Sequence, residues 1–119
     1  MYRIPPDLDL SPIVGEFTTQ VRVGQFDIQL RFGSVNFAIQ SPVKLVRGGK
    51  VIGSWKENHW PDAAFFDVMN ASVVRYEFPT DRDIVIYLEN GIELHLQDSS
   101  DQFESMQISV EGSAMLWVI

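Results

Sequence analysis

Between Glu16 and Gln40 apolar and polar side chains alternate with the period of two that marks a strand with one buried face. Val21 and Val23 alternate with Gln20 and Arg22, and Phe26, Ile28, Leu30 and Phe32 with Asp27, Gln29 and Arg31. Val35, Phe37 and Ile39 then alternate with Asn36, Ala38 and Gln40. The dipeptides Gly24-Gln25 and Gly33-Ser34 separate these runs, and Gly-X marks a two-residue type II′ hairpin loop. Such loops fix a register that burial can check. The first sets Val23 opposite Phe26, Val21 opposite Ile28, Thr19 opposite Leu30 and Phe17 opposite Phe32. The second sets Phe32 opposite Val35, Leu30 opposite Phe37 and Ile28 opposite Ile39. All of these pairs fall on one apolar face. The other face collects Arg22 with Asp27, Gln20 with Gln29, and Arg31 with Asn36.

Residues 43–55 read as a hairpin around Gly48-Gly49. Asp62 to Asn70 reads as one short helix, capped by Asp62 and stopped by Asn70, with Ala64, Phe65, Val68 and Met69 as its buried stripe. Val74, Tyr76 and Phe78 resume the alternation, and residues 79–83 turn the chain. Asn90-Gly91 then predicts a type I′ hairpin joining 84–89 to 92–97. Its two-residue register puts Leu94 and Leu96 opposite Tyr87 and Val85. Ile84, Ile86 and Leu88 fall on a second, mixed face with Glu93, His95 and Gln97 that needs cover from the helix, another sheet or a second subunit. Residues 98–102 are expected to turn. Across Gly112-Ser113, Val110 faces Met115, Ile108 faces Trp117 and Met106 faces Ile119. The last strand, apolar on both faces, is expected to be central or covered. Pro5, Pro6 and Pro12 keep residues 1–12 an extended N-terminal arm, anchored by Leu8 and Leu10. The expected fold is α+β and mainly antiparallel β: a strongly twisted or curled sheet of about eight or nine strands, barrel- or sandwich-like, with one helix.

The 119 residues suit a single domain, 1–119, able to bury a core without staples. With no cysteine, disulfides, thiolate metal sites and cysteine nucleophiles are excluded. The net charge of −7 argues against nucleic acid and basic membrane-surface binding. No run reaches the ~20 apolar residues of a membrane span. Residues 1–12 lack the apolar stretch of a signal peptide, so a cytoplasmic location is expected. The charge is unevenly spread: residues 1–56 carry a net +3 and residues 57–119 a net −10. Asp81, Asp83, Glu89, Glu93, Asp98, Asp101 and Glu104 lie in a stretch whose only base is Arg82. A field of one sign steers a partner of the other. Lys44, Arg47, Lys50 and Lys56 form a smaller basic stretch.

Catalytic signals are sparse. Glu93 and His95 share a strand face, yet a metal site needs a third ligand and none is placed nearby; an exposed strand histidine is the simpler reading. The acids of 81–104 sit in turns and at strand ends, where carboxylates are ordinarily just solvated. No nucleophile elbow, phosphate loop, dinucleotide fingerprint or HExxH spacing occurs, and no cofactor is expected.

The stretches TQVRVGQFDIQLRF (19–32), NGIELHLQDSSDQFESMQISV (90–110) and the closing MLWVI (115–119) resemble a family of small, uncharacterised bacterial proteins associated with immunity to secreted toxins. The resemblance implies a small β-rich domain without assigned activity, and supplies no catalytic residue. The functional expectation is a non-enzymatic protein-binding module: an immunity-type inhibitor whose acidic residues cap a basic site on a toxin domain. Two other readings stand beside it. One is a small-molecule-binding or hydrolytic protein with a site inside the curled sheet, walled by Trp55, Trp60, Tyr87 or Trp117, with His95 as polar handle. The other is a homo-oligomeric scaffold, a homodimer in its simplest form, that buries the Ile84, Ile86 and Leu88 face between subunits.

Overall fold

Gly33 takes φ 59°, as the first central residue of a type II′ turn must. Across it Ile28 pairs with Ile39, Leu30 with Phe37 and Phe32 with Val35, the register read from the alternation. The structure, a computed structural model, describes residues 3–98, 105–112 and 116–119. One sheet holds β1 (Thr18–Val23), β2 (Ile28–Phe32), β3 (Val35–Ile39), β9 (Met106–Val110) and β10 (Leu116–Val118), in the order β1-β2-β3-β9-β10. The other holds β4 (Val43–Arg47), β5 (Lys50–Trp55), β6 (Val73–Thr80), β7 (Asp83–Leu88) and β8 (Glu93–Gln97), in the order β5-β4-β8-β7-β6. Every pairing between these named strands is antiparallel. The mainly antiparallel β expected from the alternation is present, but the described strands number ten rather than eight or nine and form two open sheets, so of the barrel- or sandwich-like forms expected the curled sheet and the barrel are overturned.

The Gly24 turn departs from its expected form. Its loop holds Gly24 to Asp27, closed by the Gly24 N–H donating to the Asp27 carbonyl (2.8 Å), and Val23 pairs with Ile28 and Val21 with Leu30. Because the shift is two residues, Val21 and Val23 keep the core face, but Phe26 is left on the loop, 57% exposed. A bulge between Thr18 and Gln20 then buries Thr18 opposite Phe32 and turns Phe17 outward.

The Asn90-Gly91 turn slips by one, and one residue reverses every face. Leu88 N–H donates to the Ile92 carbonyl and Gly91, at φ 86°, donates to the Leu88 carbonyl. This is a three-residue loop with its glycine in the left-handed position, a second hairpin form that Asn-Gly satisfies. Ile84 therefore pairs with Leu96 and Ile86 with Leu94, all in the core, while Val85 and Tyr87 lie opposite His95 and Glu93. The Ile84, Ile86 and Leu88 face is covered by the chain itself, so a dimer formed through that face is overturned.

Trp117 pairs with Ile108 as expected, but β10 is an edge strand with Leu116 exposed, neither central nor covered. The turn at 98–102 lies outside the described residues apart from Asp98, and the Val110–Met115 pair cannot be placed because Met115 also lies outside them. The expected α-helix is a 3-10 helix, Ala63–Val68. Asp62 does not cap it: its Oδ2 accepts from the Ser54 N–H (2.9 Å), tying the segment to the edge of β5. Six helical residues suffice to bury Phe65 and Val68, which i,i+3 spacing sets on one side. Asn70 ends the segment at φ 66°.

Buried side chains of both sheets, with Ile4, Leu8, Leu10 and Ile13 from the arm, form one core. The arm runs along β6: Ile4 N–H donates to the Asp81 carbonyl and Gly15 N–H to the Val73 carbonyl. It thereby covers a sheet edge that would otherwise invite pairing. β1 runs across the second sheet, bonded near Thr18 to Ala71 ahead of β6 and near Gln25 to Asn58 behind β5.

Candidate functional site

The outer face of the second sheet carries an ordered polar row. Tyr87, opposite Arg75, lies under the Arg75 guanidinium (3.7 Å from the ring centroid) and donates to Glu77 Oε2 (3.0 Å). Arg75 also pairs with Glu77. The Arg75 guanidinium, and then the Tyr87 hydroxyl, hold the Glu77 carboxyl below its ordinary range. Burial and then the bond to Glu77 push the Tyr87 hydroxyl up. Next to Tyr87, Glu93 Oε1 lies 3.1 Å from His95 Nε2. His95 sits between Lys44 and Val85, beside a depression of about 340 Å³ walled by Pro42, Pro79, Asp83 and Gln97. No group of three His, Asp or Glu among the described residues is placed to hold a metal ion.

The predicted acidic surface is divided. Asp81 lies near Arg3 (3.6 Å) and Asp83 accepts from the Thr80 hydroxyl (2.6 Å), both at the β6–β7 turn. Glu89 lies at the far end of β7, about 20 Å away at ~3.3 Å per residue, where it accepts from the Ser72 N–H. Glu93 is engaged with His95. Asp98 is wholly buried (0% exposed): Oδ1 accepts from the Ser105 hydroxyl (3.0 Å) and Oδ2 faces Arg3 (3.8 Å). It ties strand ends together and offers no carboxylate to a partner, which corrects its place in the acidic surface. Asp101 and Glu104 lie outside the described residues.

The aromatic walls do not converge. Trp55 is 1% exposed and Trp117 is buried, both in the shared core, so Trp55 is corrected from ligand contact to core residue. Tyr87 and His95 share the outer sheet face, and Trp60 stands elsewhere.

Trp60 belongs to the crossing that joins β5 to β6, residues 56–72. The crossing is fastened to the β1–β2 loop by the Asn58 N–H donating to the Gln25 carbonyl (2.8 Å) and by Gln25 Nε2 donating to Asn58 Oδ1 (3.2 Å). Its other end bonds β1 through Asn70 N–H to the Thr18 carbonyl (2.9 Å). Between these clamps Trp60 is 81% and Phe66 70% exposed, with Met69 at the surface beyond them. The i,i+3 spacing that turns Phe65 and Val68 inward turns Ala63, Phe66 and Met69 outward. Glu57, Asp62 and Asp67 are exposed on the same segment, and no Lys or Arg occurs from 57 to 70. Phe26 stands out from the loop to which Asn58 is bonded.

The sequence reading singled out Trp60 and missed Phe66 and Phe26. The signal for Phe66 was the doublet Phe65-Phe66, since a helical segment with one buried side hides only one of two neighbours. Comparison of the chain with family models, curated proteins and solved structures finds no match.

Proposed function

We propose that this protein is a non-enzymatic binding module that docks a basic protein partner through the outward side of the crossing, with Trp60 and Phe66 as anchors and Glu57, Asp62 and Asp67 as an acidic rim. One observation carries the reading: two large aromatics stand 81% and 70% exposed on a segment clamped at both ends. Exposed aromatics on a well-ordered frame are the residue type that dominates interface energies. Removing about 300 Å² of aromatic surface from water contributes roughly 7 kcal/mol gross, within the ~4–15 kcal/mol that association costs. The surrounding contacts and the acidic rim therefore supply the surplus and, through steering, the choice of a basic partner. The resemblance noted above makes an immunity-type inhibitor, capping a basic site on a toxin domain, the specific form of this proposal.

The test separates this rim from the other acids. Recovery of a basic partner from the native host falls with Glu57→Gln/Asp67→Asn and is insensitive to Asp81→Asn/Glu89→Gln/Glu93→Gln. The opposite ranking moves the docking surface to the outer face of the second sheet and refutes this assignment.

A further inference from the structure

We infer that the pocket beside Trp60 receives a single cationic side chain, an arginine or lysine, of the basic partner. The inference rests on the proposed docking surface and names what enters it. The pocket, about 340 Å³, is lined by Val23, Gly24, Gln25, Asn58, His59 and Trp60. No lysine or arginine lines it. One wall is the most exposed indole of the described chain, and an indole face attracts a cation more strongly than any other aromatic ring.

One carboxylate abuts the pocket wall from behind. A Cβ at Gly24 would collide with Asp27 Oδ1, so that carboxylate lies directly against the glycine that forms the pocket wall. Glu57, exposed, precedes Asn58. The lining is held before any ligand arrives: Asn58 bonds Gln25 through both main chain and side chain. Asn58 keeps φ 64°, a conformation unusual outside glycine that these bonds sustain. An exposed indole wall, the Asp27 carboxylate against Gly24, a lining without lysine or arginine and a prefixed rim together suit a cation. The amides of Gln25 and Asn58 would also suit a neutral sugar stacked on the indole, so the experiment separates the two.

Trp60 is the exposed tryptophan, with Trp55 and Trp117 buried, so intrinsic fluorescence reports this pocket. The full-length protein is titrated with N-acetyl-arginine amide, its uncharged counterpart N-acetyl-citrulline amide, and methyl glucoside. The expected result is a saturable change with the arginine probe alone, about threefold weaker in Asp27→Asn or Glu57→Gln, with calorimetric binding of the same probe lost in Trp60→Ala. Equal response to citrulline, response to the glucoside only, or no saturation with arginine each overturns the inference. The same variants are assayed for partner recovery. If the arginine probe fails while Trp60→Ala and Phe66→Ala still abolish recovery, the docking surface stands and only the cation pocket falls. If the probe binds but recovery is untouched by either substitution, the docking surface falls.

Discussion

Trp60 and Trp55 lie on one short stretch of chain, yet one indole is in solvent and the other sealed between sheets. That contrast fixes what each can do. Replacing Trp60 by Ala removes no buried contact, so its effect on stability is within about 0.5 kcal/mol. Leu30→Ala, which empties a fully buried position, costs about 2–5 kcal/mol in denaturant unfolding. Acrylamide quenching is correspondingly dominated by Trp60 and nearly vanishes in Trp60→Phe. The carboxyls that the fold perturbs give a pH response. The Ser11 backbone N–H lowers the Asp9 carboxyl, and Arg75 lowers Glu77, from ordinary values of 3.8 and 4.5. A carboxyl whose folded-state value is depressed stabilises the native state above its unfolded value and loses that contribution as pH falls through the folded one. Stability from these two groups is thus fully present above about pH 4.5 and declines in more acidic solution. Glu77→Gln flattens that decline in a melting-temperature series, whereas an unchanged slope would remove Glu77 from the account.

At the scale of elements, loop length decides which side chains reach the core. The Gly33-Ser34 turn admits one tight register, and there alternation and structure agree pair by pair. Asn90-Gly91 suits two loop lengths, and the choice of the three-residue form carries Ile84, Ile86 and Leu88 from a face expected to need a partner into the core. Nothing in the dipeptide distinguishes the two. The signal lay in the strands, since the slipped register leaves the triplet Ile84, Ile86 and Leu88 buried. The Gly24 loop misled differently: Gln25 is drawn toward Asn58 and Phe26 follows it outward, a contact between segments far apart in sequence. The site was partly legible for the same reason. Trp60 stood out by type, but its exposure depends on the clamps to β1, which local pattern does not encode. Gly91→Ala, at φ 86° where an added Cβ meets only Arg47 Cγ at an ordinary contact distance of 3.8 Å, costs about 1 kcal/mol through backbone strain. Ile86→Ala costs about 2–5 kcal/mol and leaves the sedimentation coefficient of the folded fraction unchanged, because the side chain faces the opposite sheet of its own chain.

For the molecule as a whole, the two sheets enclose one apolar core and the crossing bridges β5, β1 and β6 along one side. The net charge of −7 biases every encounter toward basic partners, and the crossing adds the aromatic anchors that turn an encounter into a complex. Three acids elsewhere are engaged in the fold, Asp98 inside it, Glu93 with His95 and Asp83 with Thr80, as is Asp62 of the rim with the Ser54 N–H. The most direct measurement compares the unmodified protein with Trp60→Ala/Phe66→Ala as bait in quantitative affinity recovery from the native host, both shown to be folded by thermal melting. The account predicts a basic protein that is enriched on the first bait and at least about tenfold depleted on the second, the loss of two anchor side chains. Equal recovery of the same partners on both baits would contradict it.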